Sequence, residues 1–172
     1  MSLQGKTVAY LVAQEVEDLE FWVPLMRLRE EGARVIVIGL TTQTVRGKHG
    51  LEMTPDVSIN EAPKADELQG IVIPGGWAPD KLRRSAAILQ LVRDMHAQGK
   101  VVATICHGGW VPISAGIMRG RKATGSTGIK DDIVNAGGIW VDEAAFREGN
   151  MVWGRVVEDI PAFCRELVAA LQ

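Results

Sequence analysis

Hydrophobic and polar positions along this chain follow two regimes. Short, nearly continuous apolar runs rich in Val and Ile occupy residues 7–12, 34–40, 70–73 and 101–105. Runs without polar alternation suit strands covered on both faces. Between them lie stretches of helical period. In residues 17–31, Leu19, Val23, Met26 and Leu28 recur at helical spacing before Gly32 ends the element. Pro24 inside it should bend the helix or mark its true first turn. Residues 81–98 read as a second amphipathic helix, with Leu82, Ile88, Leu91, Val92 and Met95 as its stripe and Gly99 closing it. A last helix covers residues 160–171. This alternation predicts an α/β sandwich, a mostly parallel sheet with helical crossovers on both faces. Residues 44–53, around Gly-Lys-His-Gly, and 145–153, around Glu-Gly-Asn, read as hairpins appended to that sheet.

Composition narrows the classes. A chain of 172 residues, 47% hydrophobic and 23% charged, fits one domain over residues 1–172, since domains commonly run to about 100–200 residues. No internal repeat or low-complexity linker divides it. Nineteen Lys and Arg against 21 Asp and Glu leave a formal charge of -2, with no basic block to follow a phosphate backbone, so nucleic acid is not an expected partner. The apolar runs fall far short of the roughly 20 residues of a membrane span, and residues 1–6 carry no signal-peptide pattern. Cys106 and Cys164 are too few for a disulfide framework and lack zinc-site spacing, which fits a reducing, cytoplasmic setting.

The most informative stretch is Val101-Val102-Ala103-Thr104-Ile105-Cys106-His107-Gly108-Gly109-Trp110, a buried-strand run that stops at a polar pair and enters a Gly-led helix. It has the form of a nucleophile elbow, small-x-nucleophile-x-Gly, in which small neighbours relieve crowding on a strained turn. Thr104 and Gly108 occupy the small positions. The helix start and the imidazole of His107 should both favour a thiolate. A free cysteine at a strand end is often only a small buried hydrophobe, and the elbow context argues against that for Cys106. For Cys164, on the apolar side of the final helix, the core role stands. His49 reads as a turn residue and His96 as a surface residue at a helix C-terminus.

Ile73-Pro74-Gly75-Gly76-Trp77-Ala78-Pro79-Asp80 is another strand-to-helix junction, placed by parallel topology at the same sheet edge as Cys106. Its glycines let backbone approach a ligand and offer N–H groups for an oxyanion, although a tight turn with Asp80 as N-cap explains them too. Glu15, Glu17, Asp18 and Glu20 sit at the same edge. They suit a helix start, and one of them entering the pocket would couple its ionisation to that of Cys106. No phosphate loop, dinucleotide fingerprint or metal loop survives inspection, so neither cofactor nor metal is expected.

Together these motifs resemble the ThiJ/PfpI family, flavodoxin-like sandwiches within the class I glutamine amidotransferase-like superfamily. The likeness is carried by Glu17-Asp18-Leu19-Glu20, Gly47-Lys48-His49-Gly50, the 74–80 and 105–108 segments, Lys130-Asp131-Asp132 and Asn135-Ala136-Gly137. The resemblance implies Cys106 as nucleophile, Glu20 as a protonated carboxyl against the sulfur and His107 as base. It also implies backbone N–H groups at Gly76 and His107 as oxyanion donors, flanked by Gly75 and Gly108. Asp80 matches an acid that such proteins supply across a subunit interface, and dimers or hexamers are the family's states. Three departures stand out: Asp80 where some members have Glu, Gly109 in place of a proline, and Trp153-Gly154-Arg155 in place of a Ser-Arg pair.

The resemblance implies a cysteine-dependent hydrolase in stress protection, acting as an intracellular peptidase or as a deglycase or glyoxalase on methylglyoxal adducts. Its partners would be peptide, glycated protein or small aldehyde. A second reading is a redox sensor whose Cys106 is oxidised to sulfinate without turnover. A proton-transfer partner at His107, with Asp80, favours the enzyme. An amidotransferase subunit is disfavoured, because no later His-x-Glu pair follows the cysteine.

Overall fold

A computed structural model describes residues 2–172. In chain order the elements are β1 (Thr7–Val12), α1 (Asp18–Glu30), β2 (Arg34–Gly39), β3 (Val45–Arg46), β4 (Glu52–Met53), β5 (Val57–Ser58) and β6 (Gly70–Ile73). There follow α2 (Ala78–Leu82), α3 (Ala86–Ala97), β7 (Val101–Ile105), α4 (Trp110–Ala115), β8 (Lys122–Ala123), α5 (Lys130–Asn135), β9 (Ile139–Trp140), β10 (Ala145–Glu148), β11 (Met151–Gly154) and α6 (Ile160–Leu171). Seven strands form one sheet in the order β10-β11-β7-β6-β1-β2-β5, parallel except for β10. Helices α1 and α6 pack together on one face and α3 with α4 on the other. This is the mostly parallel, three-layer sandwich that the alternation predicts, and β6 and β7 are buried along their whole length as double coverage requires.

The chain adds β2 on one side of β1 and later β6 on the other. That reversal opens a crevice beyond the carboxyl ends of the strands, where ligands gather in such sheets. The β1–α1 and β6–α2 loops meet there through a bridge between Val16 and Gly76.

Four expectations change. The single helix over 81–98 is two helices. The apolar stripe has a gap between Leu82 and Ile88, filled by polar Arg83, Arg84 and Ser85. Ser85 turns extended and caps α3 by accepting from the Ile88 N–H at 3.3 Å. The 44–53 hairpin is not appended to the main sheet: β3 and β4 form a separate two-stranded sheet, and β8 with β9 forms another. The second hairpin, β10–β11, does belong to the main sheet, at its edge. The core-facing side of α1 is Phe21, Leu25 and Leu28, while Leu19, Val23 and Met26 are 49%, 41% and 58% exposed. The helix carries two apolar faces, and periodicity alone does not rank them. Finally, His96 is half-buried, with its Nδ1 enclosed and burial lowering its pKa, because the β10–β11 turn folds over it and Asn150 donates to its carbonyl at 3.2 Å.

Pro24 does not mark the first turn of α1, which begins at Asp18 and runs through it. A proline there removes the N–H that would bond the Glu20 carbonyl four residues earlier. The buried Tyr10 hydroxyl takes its place, donating to that carbonyl at 2.6 Å. Tyr10→Phe is therefore expected to cost about 1–2 kcal/mol by orphaning a buried carbonyl. In a Pro24→Ala background the restored N–H should at least halve that cost. Equal costs in both backgrounds, measured by urea unfolding, would remove the hydroxyl's assigned role.

Candidate active site

Strand β7 runs buried to Ile105, and the next residue reverses the backbone. Cys106 has φ of 59°, one of only two described non-glycine residues, with Glu15, in the left-handed region. Such a conformation costs on the order of 1–3 kcal/mol and persists only where its surroundings enforce it. They do so by close approach. A Cβ on Gly108 would strike the Ile73 carbonyl and the Thr104 hydroxyl, and one on Gly125 would lie 2.7 Å from the Cys106 carbonyl oxygen. A 3₁₀ turn, Cys106–Gly109, then leads into α4.

Glu20 is fully buried, and its Oε2 accepts from the Gly75 N–H at 2.6 Å. A Cβ on Gly75 would lie 2.5 Å from that oxygen and 2.9 Å from Cys106 Cβ, so only glycine fits between carboxyl and nucleophile. Burial first, then the charge of Glu17, raises the Glu20 pKa to about 8 against the pull of the Gly75 hydrogen bond, and Glu20 holds its proton at neutral pH. The other three acids have separate tasks. Glu17 caps α1, accepting from the Leu19 and Glu20 N–H groups at 2.9 and 3.0 Å. Asp18 accepts from the His49 and Leu51 N–H groups at 2.8 and 2.9 Å and ties the β3–β4 hairpin to the site. Glu15 lies outside, 3.3 Å from Lys81 Nζ.

Cys106 Sγ lies 3.4 Å from His107 Nδ1. The expectation of a thiolate-favouring environment is overturned. Burial, followed by the charge of Glu20, pushes the thiol up to about 12 and outweighs the opposing His107 N–H. The Glu20 contribution acts only while that carboxyl is ionised, which at pH 7 it is not, so burial is what keeps the proton on sulfur. Burial and then Lys48 lower the His107 pKa, against Asp132. A neutral thiol therefore faces a neutral imidazole able to take its proton.

Gly76, at φ of 71°, sits where a Cβ would collide with the Glu17 N. The loop is pinned on either side: Glu17 N–H donates to the Gly75 carbonyl at 3.2 Å and Trp77 N–H to the Glu15 carbonyl at 2.9 Å. The Gly76 N–H itself has no main-chain acceptor among the described residues. A cleft of about 220 Å³ opens above the sulfur, lined by Lys48, Gly76, Trp77, Cys106, His107 and Glu158 among others.

The fold thus brings together Cys106, His107, Glu20, Gly75, Gly76 and Gly108. Asp80 does not join them within the chain: its Oδ2 pairs with Arg84 at 2.6 Å on the outer side of α2. His49 is exposed, 3.4 Å from Glu17. Cys164 packs into the core. Gly109 has little spare room, since a Cβ there would lie 2.8 Å from Ile129. Arg155 turns to Asp142 and Asp159. The motifs quoted from the sequence contain Lys48, Trp77, Trp110 and Asp132, but sequence alone assigns none of the four a role at the site. Among the described residues no group of three or more His, Cys, Asp or Glu side chains is placed to hold a metal ion, and no helix is long and apolar enough to cross a membrane.

The raised Glu20 pKa makes stability depend on pH. Between the ordinary value of 4.5 and about 8 the folded state keeps a proton that the unfolded state releases. Stability from this group is greatest below pH 4.5 and declines as pH rises through that window, by on the order of 5 kcal/mol at 1.36 kcal/mol per unit. Glu20→Gln should flatten this decline, so that wild type loses several °C more in Tm between pH 5 and pH 9 than the variant. Parallel Tm–pH curves would contradict the buried-acid assignment.

Comparison with known proteins identifies the family. The DJ-1/PfpI family model matches residues 6–170. The chain is 42% identical over 165 residues to Deglycase PH1704 of Pyrococcus horikoshii, covering 96% of this chain and 99% of that protein. It is 39% identical over 170 residues to Protein/nucleic acid deglycase 2 of Escherichia coli, covering 97% and 98% respectively. Among solved structures, a two-domain protein from Anabaena variabilis with DJ-1/ThiJ/PfpI-like and ferritin-like domains superposes with a TM-score of 0.94 at 39% identity, over 96% of this chain and 48% of that one. With its match over nearly the whole length and its sheet order and elbow in place, this chain belongs to the DJ-1/PfpI family.

Proposed function

We propose that the chain is a cysteine-dependent deglycase that removes methylglyoxal adducts from amines or thiols. The observation that carries this reading is the strained Cys106, with an imidazole nitrogen 3.4 Å from its sulfur, at the base of a cleft of about 220 Å³. Ligand pockets for larger molecules span about 300–1,000 Å³, so this volume suits a three-carbon adduct better than an extended peptide. The deglycase names of the relatives point the same way.

The chemistry balances without an external oxidant. An amine adduct R–NH–CH(OH)–CO–CH₃ plus water yields R–NH₂ and lactic acid. The adduct's hydroxyl proton passes to nitrogen as the C–N bond breaks, releasing R–NH₂ and an aldehyde. His107 takes the Cys106 proton and the sulfur attacks that aldehyde carbon. The electron pair of the C=O bond moves to oxygen, held by the Gly76 and His107 N–H groups. His107 passes the proton taken from Cys106 to that oxygen, giving a neutral hemithioacetal. It then takes the proton on the sulfur-bearing carbon and delivers it to the neighbouring carbon while the hydroxyl proton passes to the former ketone oxygen. The lactyl thioester so formed is cleaved by water to lactic acid and the Cys106 thiol. Glu20, buried and protonated, donates toward the sulfur through each charged stage. The exposed apolar residues Leu19, Val23 and Met26 on α1 support self-association of the chain.

Incubation with the methylglyoxal adduct of N-acetyllysine and with a fluorogenic peptide tests the reading. Lactate release from the adduct without peptide cleavage is expected. Cys106→Ser should abolish it, and His107→Ala should lower it about 10²–10⁴-fold. Cys164→Ser should retain it. Peptide cleavage without lactate would make the protein a peptidase. No turnover, with Cys106 gaining two oxygens under mild peroxide, would make it a redox sensor.

A further inference from the structure

A base paired with a cysteine needs its ring held in one orientation, because a half-turn of the imidazole replaces Nδ1 by a carbon. Such a base is commonly oriented by a third polar group. Within this chain the ring of His107 is walled by aromatic groups. The Trp77 ring lies 5.4 Å from it at 51°, and the Trp110 ring 5.1 Å from it at 73°, edge to face. Gly128 backs the far nitrogen, since a Cβ there would approach Nε2 to 3.3 Å. Trp110 is anchored in turn. Its Nε1 donates to Asp132 Oδ2 at 2.9 Å, and the Arg83 guanidinium sits 5.3 Å over its ring. Arg83 is fixed by donating from Nε to Ser114 Oγ at 2.8 Å.

We propose that Trp110, anchored by Asp132, is the positioning residue for His107, holding Nδ1 toward the Cys106 sulfur within a single subunit, with Trp77 as the opposite wall. The chain of contacts runs from α5 through an indole to the base, replacing a direct carboxylate by packing. This rests on the reading of Cys106 and His107 as the reacting pair. It competes with an orienting acid supplied by a neighbouring copy, for which Asp80 is the candidate. The charged groups around His107 are Lys48 from the β3–β4 turn, Asp132 from α5, the Cys106–Glu20 pair beneath, and Glu17 and Glu158 on the cleft wall. Of these, Lys48 disfavours the imidazolium and Asp132 favours it.

The test uses the full chain with Trp110→Leu, Trp110→Phe, Asp132→Asn and Asp80→Ala. It reads kcat and KM on the methylglyoxal adduct, the ¹⁵N titration of the His107 ring, and the iodoacetamide rate of Cys106. Trp110→Leu should lower kcat about 10–100-fold, the scale of a misplaced catalytic group, with KM within about threefold. Its ring nitrogens should report mixed tautomers. Trp110→Phe keeps an aromatic wall and should recover most of the loss. Asp132→Asn should move the His107 titration to lower pH, because a negative charge that favours the imidazolium is gone. A wild-type kcat with one unchanged tautomer in Trp110→Leu would overturn the proposal, as would Asp80→Ala alone reproducing the loss. If wild type turns over no adduct, the deglycase reading fails while the ring titration and alkylation rates still decide the positioning role.

Discussion

The Glu20 carboxyl has no access to water, and its Oε2 is held by one N–H, that of Gly75. That contact joins the first turn of α1 to the loop after β6, directly beside the residue where β7 reverses. A buried carboxyl survives in such a place by keeping its proton, and burial raises its pKa to about 8 accordingly. Other features of the site adapt to it. Gly75 must lack a side chain so that carboxyl and cysteine can meet, and the Tyr10 hydroxyl satisfies the Glu20 carbonyl that Pro24 leaves unbonded. One residue thus serves the site through its side chain and the core through its main chain.

The parallel sheet supplies the rigidity that keeps Cys106 strained. β7 is bonded on both sides, to β6 and β11, and every one of its residues is buried. A strand held that firmly can end in a left-handed non-glycine residue, because relaxing the turn would disrupt the pairing behind it. The glycines at 75, 108 and 125 let the surrounding backbone approach from three directions. The consequence is a thiol displayed at the floor of a small cleft in a fixed direction. Burial keeps that thiol protonated at rest, so its activation depends on the adjacent imidazole.

Much of the fold was legible in the sequence because parallel strands are buried on both faces and show it as unbroken Val and Ile runs. Strands β1, β2, β6 and β7 and helices α1 and α6 appear within a residue or two of their predicted places. The 81–98 helix was misread because Leu82 and Ile88 fit one stripe only if the polar Arg83-Arg84-Ser85 stretch between them is ignored. The face of α1 was misread because a helix with two apolar sides gives periodicity no means of choosing which side meets the sheet. β8 and β9 were not foreseen, since two-residue strands leave no period to detect.

For the site, the residues adjacent to Cys106 and the glycines at 75 and 76 were legible from local turn chemistry. Among four neighbouring acids, spacing alone left open which one enters the pocket. The motifs containing Trp110, Asp132 and Lys48 did not show that these residues surround His107, because that relation spans separate elements. The sequence by itself determined the strand and helix alternation, the tight turn at Cys106 and the edge of the sheet where chemistry collects, all consequences of local sterics and burial pattern. Only the tertiary structure decided the protonation of the thiol and of Glu20, the aromatic walls of His107 and the exposure of Leu19, Val23 and Met26. Desolvation and side-chain orientation depend on which distant segments pack against a residue, and that information is absent from any local stretch of chain.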